Sequence, residues 1–472
     1  MKNIILTANG TQKADLVLKN ASIVNVFTES IEVGDVAITD GKIVGIGRYE
    51  GKIEKDMTGR FVCPGFIDGH IHLESSMVTP SEFARAVIAH GTTAVITDPH
   101  EIANVAGCDG ITYMMQATKD LPLDVFFMVP SCVPATDLDE SGACLNADDI
   151  TPFYNDRRVL GLAEMMNAFG VNQADGSVLS KIKTTLEHDR IIDGHAPLLT
   201  GKELNAYTAA GIRSDHECSN IAEAKEKLSR GQWIMIREGT AAKNLQELMP
   251  LFEAPYYNRI LLVTDDKHPL DLLNDGHIDA IIRKAVHLGA DPIRAIKAGS
   301  LNAATYFGLR DTGAIAPGYD ADIVVLNDLT DLHVQEVYKQ GTLISERGQI
   351  TTAVNSNTDS IPERVIHSFH VEKITPAQLV IPKQGEHIRV IELHAGELLT
   401  SERTASWNTD TSAKDWADGI NPDDDIIKIV AIERHKNTGH LGKGFLGGYG
   451  LKKGAVATSI GHDSHNLVVA GT

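Results

Sequence analysis

Between residue 14 and about residue 60 the chain alternates apolar and polar positions in short runs. ADLVLKNASIVNV and DVAITDGKIVGIG are broken only by Asn, Asp and Gly. A period of two marks a half-buried strand, and those three residues mark tight turns. Residues 1–60 are therefore expected to be short strands, the first part of a small β domain. Near Arg60 the rhythm changes. Eight apolar runs follow: RFVCPGFIDGHIH, TTAVITDPH, LDVFFMVPS, RVLGLAEMMN, RIIDGHAP, IRSDHE, QWIMIREG and NRILLVTDD. Each turns polar at its C-terminal end. Between them SEFARAVIAHG and SNIAEAKEKLSRG carry helical periodicity. Parallel strands buried on both faces read as such apolar runs. Eight βα units over about 240 residues match the size of a (β/α)8 barrel. The expected fold is α/β, with a TIM-type barrel at 61–304. The β pattern returns at 305–358, where TGAIAPGYDADIVVLND holds two strand-like pieces around a Pro-Gly turn. This segment is expected to join residues 1–60 in a β-sandwich domain built from both sides of the barrel. Residues 359–472 read as a C-terminal α+β domain. Its strands are LVIPK, HIRVIELHAGELLTSERTA and IIKIVAIERHK, followed by the glycine-rich GHLGKGFLGGYGLKKGA.

A chain of 472 residues with 43% hydrophobic content has enough apolar material for more than one core. Its formal charge of −20 repels polyphosphate and argues against a nucleic-acid partner. No apolar run is long enough to cross a bilayer, and MKNIILTANG lacks the layout of a signal peptide. The five cysteines, at 63, 108, 132, 144 and 218, form no CxxC pair. That suits a reducing cytoplasm better than a disulfide framework, so a cytoplasmic location without membrane attachment is expected.

Active sites of (β/α)8 barrels lie at the C-terminal strand ends, which is where the polar endings fall. His70 and His72 end the first run, and residues i and i+2 of a strand face the same side. Alone this pair is weak evidence. Glu164 ends the fourth run, His195 the fifth, His216 the sixth and Asp265 the eighth. Four imidazoles and two carboxylates at one mouth suit one or two divalent ions such as zinc, iron or manganese.

PGFIDGHIH resembles the first-strand signature of the amidohydrolase superfamily. The order His-x-His, Glu, His, His, Asp resembles its ligand order for a binuclear centre. Many members bridge their metals with a carbamoylated lysine on strand four. GLAEMMN offers Glu164 there, which argues against the dihydroorotase, hydantoinase and urease-like branches. HIHLESSMVTP, ITDPHEIANVAG, GLAEMMN, DGHAP, SDHE and GHDSHNLVV are together similar to the bacterial adenine deaminase family, and they run across nearly the whole chain. The zinc nucleobase deaminases with PCxxC motifs are a different fold, and no PCxxC occurs here. His195 is followed by Ala-Pro, not by the Ala-Gly-Glu of the adenosine deaminase branch.

The resemblance implies hydrolysis of a cyclic amidine C–N bond, adenine plus water giving hypoxanthine plus ammonia, a purine-salvage reaction. A divalent ion lowers the pKa of water to about 7, so that water can attack C6. By the resemblance His70, His72 and Asp265 hold one metal, His195 and His216 the other, and Glu164 bridges them. Mn2+ is favoured, with Fe2+ or Zn2+ as alternatives. Asp265, Glu164 and His100 are the catalytic candidates. Asp265 would move the proton, and His100 would either relay it or support a ligand. Substrate-contact candidates are Glu74, Glu101, Glu217, Arg237, His462, Asp463 and His465. Ser75 and Ser76 read as capping or packing residues. Glu101 and Glu217 neighbour site histidines, and strand alternation leaves at least one of them structural. The dense polar run His462–Asn466 reads as a loop that closes over the substrate or binds a further ion. Family members continue beyond this motif, so the third domain is expected to be shortened, either as a natural short form or as an impaired truncation. A homodimer is expected. Three other readings compete: another amidohydrolase acting on an amide or aminopurine, a metal-binding protein without activity, and a pure scaffold or binding module, which the six ligand-type residues argue against.

Overall fold

The computed structural model describes residues 1–355, 361–395, 399–408 and 419–472. The chain divides into two compact units. The first comprises Met1–Pro99, Met114–Ser131 and Asn146–Ser360; the second comprises His100–Tyr113, Cys132–Leu145 and Ile361–Thr472. The expected boundary at 358–359 lies outside the described residues.

In the first unit both flanks of the barrel enter one nine-stranded sheet. Ala14–Asn25 pairs antiparallel with Ser30–Thr39, which pairs in turn with Lys42–Gly47. On its other side Phe61–Pro64 joins Ala14–Asn25 in parallel, and Ile323–Leu326 pairs antiparallel with Phe61–Pro64. The late segment therefore docks on the early one, as the alternation implied. Leu18, Ile23, Ile43, Val62, Ile323 and Tyr338 form the buried core on one face. The chain opens with a helix, Lys2–Ala8, not a strand. Ile4 and Ala8 lie four residues apart, on one helical face, and pack against Val17 and Val44 on the opposite face of the sheet.

The barrel strands are β1 (Phe66–Ile71), β2 (Thr92–Thr97), β3 (Asp124–Val129), β4 (Val159–Met165), β5 (Ile191–Gly194), β6 (Ser214–Asp215), β7 (Trp233–Arg237) and β8 (Ile260–Val263). Strands β1 to β5 pair in sequence order and in parallel, as do β6 to β8. The two sets meet at both edges. Arg213 N donates to Ile192 O at 3.0 Å before β6, and Asp265 N donates to His70 O at 2.9 Å after β8. Helices Pro80–Ile88 and Ile221–Ser229 occupy the segments whose periodicity predicted them. RFVCPGFIDGHIH divides between two sheets. Pro64 has no N–H to continue the ladder, and a Cβ at Gly65 would lie 2.2 Å from Thr93 Oγ1. Gly69 is needed for a close approach as well, because a Cβ there would lie 2.2 Å from Leu261 Cδ1 on β8.

The second unit contains a six-stranded mixed sheet. Its order is Ser401–Ser406, His387–Glu392, Leu441–Gly447, Ile427–Ile432, Leu467–Gly471, Ala455–Thr458. LVIPK forms no strand: its leucine ends the turn Pro376–Leu379, and Pro382 lacks a ladder donor. HIRVIELHAGELLTSERTA divides into two antiparallel strands, His387–Glu392 and Ser401–Ser406, and residues 396–398 between them lie outside the described residues. The glycine-rich run supplies Leu441–Gly447, an inner strand of the sheet. Among the described residues no helix is long and apolar enough to cross a membrane.

Candidate metal centre

Six expected side chains converge at the C-terminal ends of five barrel strands, all within the first unit. His70 lies on β1 with His72 just beyond it, Glu164 lies near the end of β4, and His195, His216 and Asp265 follow β5, β6 and β8. Extended backbone puts Asp68, His70 and His72 on one side of β1. Asp68 accepts hydrogen bonds from His70 N at 3.2 Å, Thr264 N at 3.1 Å and Thr264 Oγ1 at 2.5 Å. That ties the first ligand strand to the last. Asp265 adopts a left-handed φ of 59°, which aspartate tolerates better than most residues. Its backbone is held on both sides, by its N–H to His70 O and by His72 N to its own carbonyl at 3.3 Å.

Glu164 divides the donors into two groups. Its Oε1 lies 3.4 Å from His72 Nε2 and 4.0 Å from His70 Nε2. Asp265 Oδ1 lies 3.2 and 3.8 Å from the same two nitrogens. Glu164 Oε2 lies 2.7 Å from His195 Nδ1 and 3.1 Å from His216 Nε2. The His70 and His216 rings stack across the divide at 4.4 Å.

These residues fit a metal centre. His70 Nε2 is buried and makes no hydrogen bond. His195 Nδ1 and His216 Nε2 face each other at 3.2 Å, and both are turned towards Glu164 Oε2. His72 Nδ1 lies 2.9 Å from Asp98 O; donation to that carbonyl leaves the Nε2 lone pair directed at the centre. Burial, with His216 beside it, keeps the His70 imidazole neutral, well below its usual range. Burial opposes ionisation of Glu164, but His195 and His216 outweigh it and hold the carboxyl well below the usual carboxylate range. Burial likewise opposes charge on Asp265, and His72, His216 and Arg237 outweigh it. Burial opposes charge on His72, His195 and His216 as well, but Glu164 and Asp265 outweigh it and raise all three imidazoles above their usual range. The two carboxylates thus gather positive charge at this spot, a place a divalent cation would take with the imidazoles deprotonated. His195 is the most open ligand, with its side chain 27% exposed.

The surrounding residues add constraints that the sequence did not reveal. Arg237 Nη1 donates to Asp265 Oδ2 at 2.5 Å and to Glu217 Oε1, so its guanidinium is committed to two carboxylates. Glu217 Oε1 also lies 3.5 Å from His216 Nε2 and 3.7 Å from His195 Nδ1. Glu217 and His216 can face the same centre because β6 ends at Asp215, where strand alternation stops. Tyr207 Oη accepts from His195 N at 3.0 Å and donates to Met165 O at 2.6 Å; nothing in its helical context marked it. Glu74 is half-buried in the turn Leu73–Ser76. Ser76 Oγ closes that turn on Leu73 O at 2.6 Å, and Ser75 Oγ bonds Asp266 Oδ1 at 2.5 Å, which is the packing role read for both serines. The other expected residues form their own cluster in the second unit. His100 Nε2 lies 3.2 Å from Asp463 Oδ1, and Glu101 lies 3.1 Å from His462 Nδ1 and 3.0 Å from His465 Nε2.

Residues 61–344 match the amidohydrolase family, and residues 397–472 match the adenine deaminase C-terminal domain. An adenine deaminase of Desulfatibacillum aliphaticivorans is 47% identical over 468 residues, covering 99% of this chain and 81% of the relative. The chain belongs to the adenine deaminase family. An adenine deaminase of Geobacillus kaustophilus is 44% identical, with 100% of this chain and 81% of the relative covered. Among solved structures, an enamidase superposes with a TM-score of 0.54 at 15% identity, covering 71% of this chain and 96% of that one. A D-hydantoinase gives 0.53 at 17% identity, covering 73% and 97%. These two likenesses concern the fold alone, a barrel of the TIM type. Family membership makes the chain a hydrolase of C–N bonds in cyclic amidines, with the cluster above as its candidate metal centre.

Proposed function

We propose that this member of the adenine deaminase family hydrolyses adenine to hypoxanthine and ammonia at a binuclear divalent centre. The observation that carries the reading is the division of donors by Glu164, each carboxylate oxygen facing its own group of imidazoles. His70, His72 and Asp265 would hold one ion, His195 and His216 the other, and Glu164 would bridge. The family resemblance favours manganese, with iron or zinc as alternatives. Bound there, divalent ions supply Lewis acidity that brings the pKa of water to about 7.

The chain's own residues carry the rest. Asp265 keeps one oxygen on Arg237 and the other towards His72. It is the base that takes the proton from the attacking water and returns it to the ring or to the leaving amine at C6. Arg237 and Glu217 fix its orientation, which narrows the purine-contact role expected of them. His195, the open ligand, lies on the side that substrate can reach. Glu74 remains a candidate contact. The role is purine salvage by a cytoplasmic homodimer, a setting that the five free thiols support. The proposed domain division is a β-sandwich domain (1–60 and 305–358), a barrel (61–304) and a C-terminal α+β domain (359–472), with Phe61–Pro64 bonded into the first.

The test is adenine consumption with stoichiometric ammonia release by the manganese-loaded chain, beside His195→Ala. Turnover that vanishes in the variant is expected. Ammonia release that persists in it, or faster turnover of an amide than of adenine, would overturn the reading.

A further inference from the structure

The histidine-rich loop near the C-terminus meets helix His100–Ala106 within the second unit. We propose that Glu101, His462 and His465 bind a transition-metal ion there, on side chains separate from the barrel ligands. Three observations carry this. First, one carboxylate reaches both imidazoles: Glu101 Oε1 lies 3.1 Å from His462 Nδ1, and Oε2 lies 3.0 Å from His465 Nε2. Two N or O ligands of one tetrahedral ion lie about 3.3 Å apart, given metal–ligand bonds of about 2.0–2.2 Å. Second, His465 Nε2 is buried and makes no hydrogen bond even with that oxygen so near. Ring nitrogen and carboxylate are close but misaligned, as they are when both address a third atom. Third, the pair is withdrawn from solvent: Glu101 is 1% exposed and His465 8%. A carboxylate so buried is retained only when paired or coordinated.

The loop is braced for such a role. His435 Nε2 lies 2.7 Å from Ser464 O, His465 N donates to Gly461 O at 2.6 Å, and Asn466 Nδ2 donates to Glu140 O at 2.7 Å. Asp463 Oδ1, 3.9 Å from His462 Nδ1 and 3.2 Å from His100 Nε2, is the natural further ligand. His462, its side chain 39% exposed, lines a cavity of about 270 Å3 with Glu140, Glu433 and His440, which gives an ion a way in. Two imidazoles and a carboxylate suit Zn2+ or Fe2+ better than Ca2+ or Mg2+.

The test counts ions and needs no turnover. The full chain is stripped with chelator, reloaded with Zn2+, desalted and analysed for metal. His70→Ala/His216→Ala, which disables the barrel centre, should keep one equivalent. Adding Glu101→Gln or His465→Ala should remove it and weaken Zn2+ binding at least tenfold in a chelator competition. Co2+ absorption gives a second readout: a visible band in the barrel variant should vanish with Glu101→Gln. A barrel variant that binds no Zn2+, or an equivalent and a Co2+ spectrum unchanged by both added substitutions, would overturn the proposal. Adenine turnover by the wild type is a separate matter, so failure here leaves the deaminase reading standing.

Discussion

Replacing Lys227 by methionine tests how the barrel holds two of its ligand loops. Lys227 is fully buried on helix Ile221–Ser229. Its ammonium donates to Asp215 Oδ2 at 2.9 Å, Glu223 Oε1 at 2.7 Å and Ala196 O at 2.6 Å. Ala196 follows His195 and Asp215 precedes His216, so one cation pins the loops after β5 and β6. Asp215 completes the link by accepting Ala196 N at 2.8 Å. Methionine keeps the stem and deletes the charge. Asp215 and Glu223, 0% and 5% exposed, would be left without their cation. Breaking a buried pair from one side costs about 3–5 kcal/mol. At about 2–4 °C per kcal/mol for a mid-sized domain, the calorimetric transition of the first unit should fall by about 6–20 °C. Adding Asp215→Asn and Glu223→Gln removes the stranded charges and should recover part of the loss. A shift under about 2 °C in Lys227→Met, well below that scale, would refute the reasoning, since it would mean that the carboxylates find water or take up protons cheaply.

Three further outcomes follow from the same geometry. Arg237→Met should lower metal affinity or turnover by about 10–100-fold, the usual effect of losing an outer hydrogen bond to a metal ligand, as read by metal competition and steady-state kinetics; unchanged values would show that Asp265 needs no such partner. Because Glu164 is supplied by the chain, reloading the stripped protein should proceed equally with and without bicarbonate, and a bicarbonate requirement would point to a lysine-borne bridge elsewhere. Asp35 is nearly buried, which opposes its ionisation, but Lys19 at 2.5 Å and the amides of Asn20 and Tyr49 hold its carboxyl below the usual range. A lowered carboxylate stabilises above its unfolded pKa of about 3.9 and loses that contribution as pH falls through the folded value; between pH 5 and pH 3 the melting temperature of the wild type should therefore fall further than that of Asp35→Asn.

What the sequence revealed depended on how a residue reaches the site. The barrel ligands were legible because strand periodicity and the polar run-outs assign each to a strand end without knowledge of neighbours. Asp98 contributes through a carbonyl that any residue would offer, so its identity carries no signal. Tyr207 acts from a helix whose spacing only says that it is buried. The sequence marks Arg237 as a purine-contact candidate, whereas two carboxylates take the guanidinium, because the sequence does not say which charges the ends of β6 and β8 bring together. Helix Lys2–Ala8 is not legible beside the neighbouring strands because its seven residues hold barely two helical turns, too few for a period to stand out. Leu441–Gly447 was obscured by its glycines, which weaken the strand signal, although its neighbours on both sides supply the ladder.

Glu164 shows why the arrangement reads as two centres and not one crowded site. Four imidazoles around a single ion would need their reactive nitrogens at mutual distances near those of one coordination sphere. Instead the donors fall on either side of the stacked His70 and His216 rings, with Asp265 and His72 on the His70 side and His195 on the His216 side. The Glu164 carboxylate lies within 4.0 Å of reactive nitrogens from all four histidines. It does so with separate oxygens, Oε1 for the β1 pair and Oε2 for the β5 and β6 pair. Shortening it to aspartate keeps the charge and withdraws that reach, so Glu164→Asp separates bridging from simple electrostatic support. If bridging is the role, the stripped and reloaded variant should hold fewer ions than the wild type; if charge alone matters, the count should stay the same.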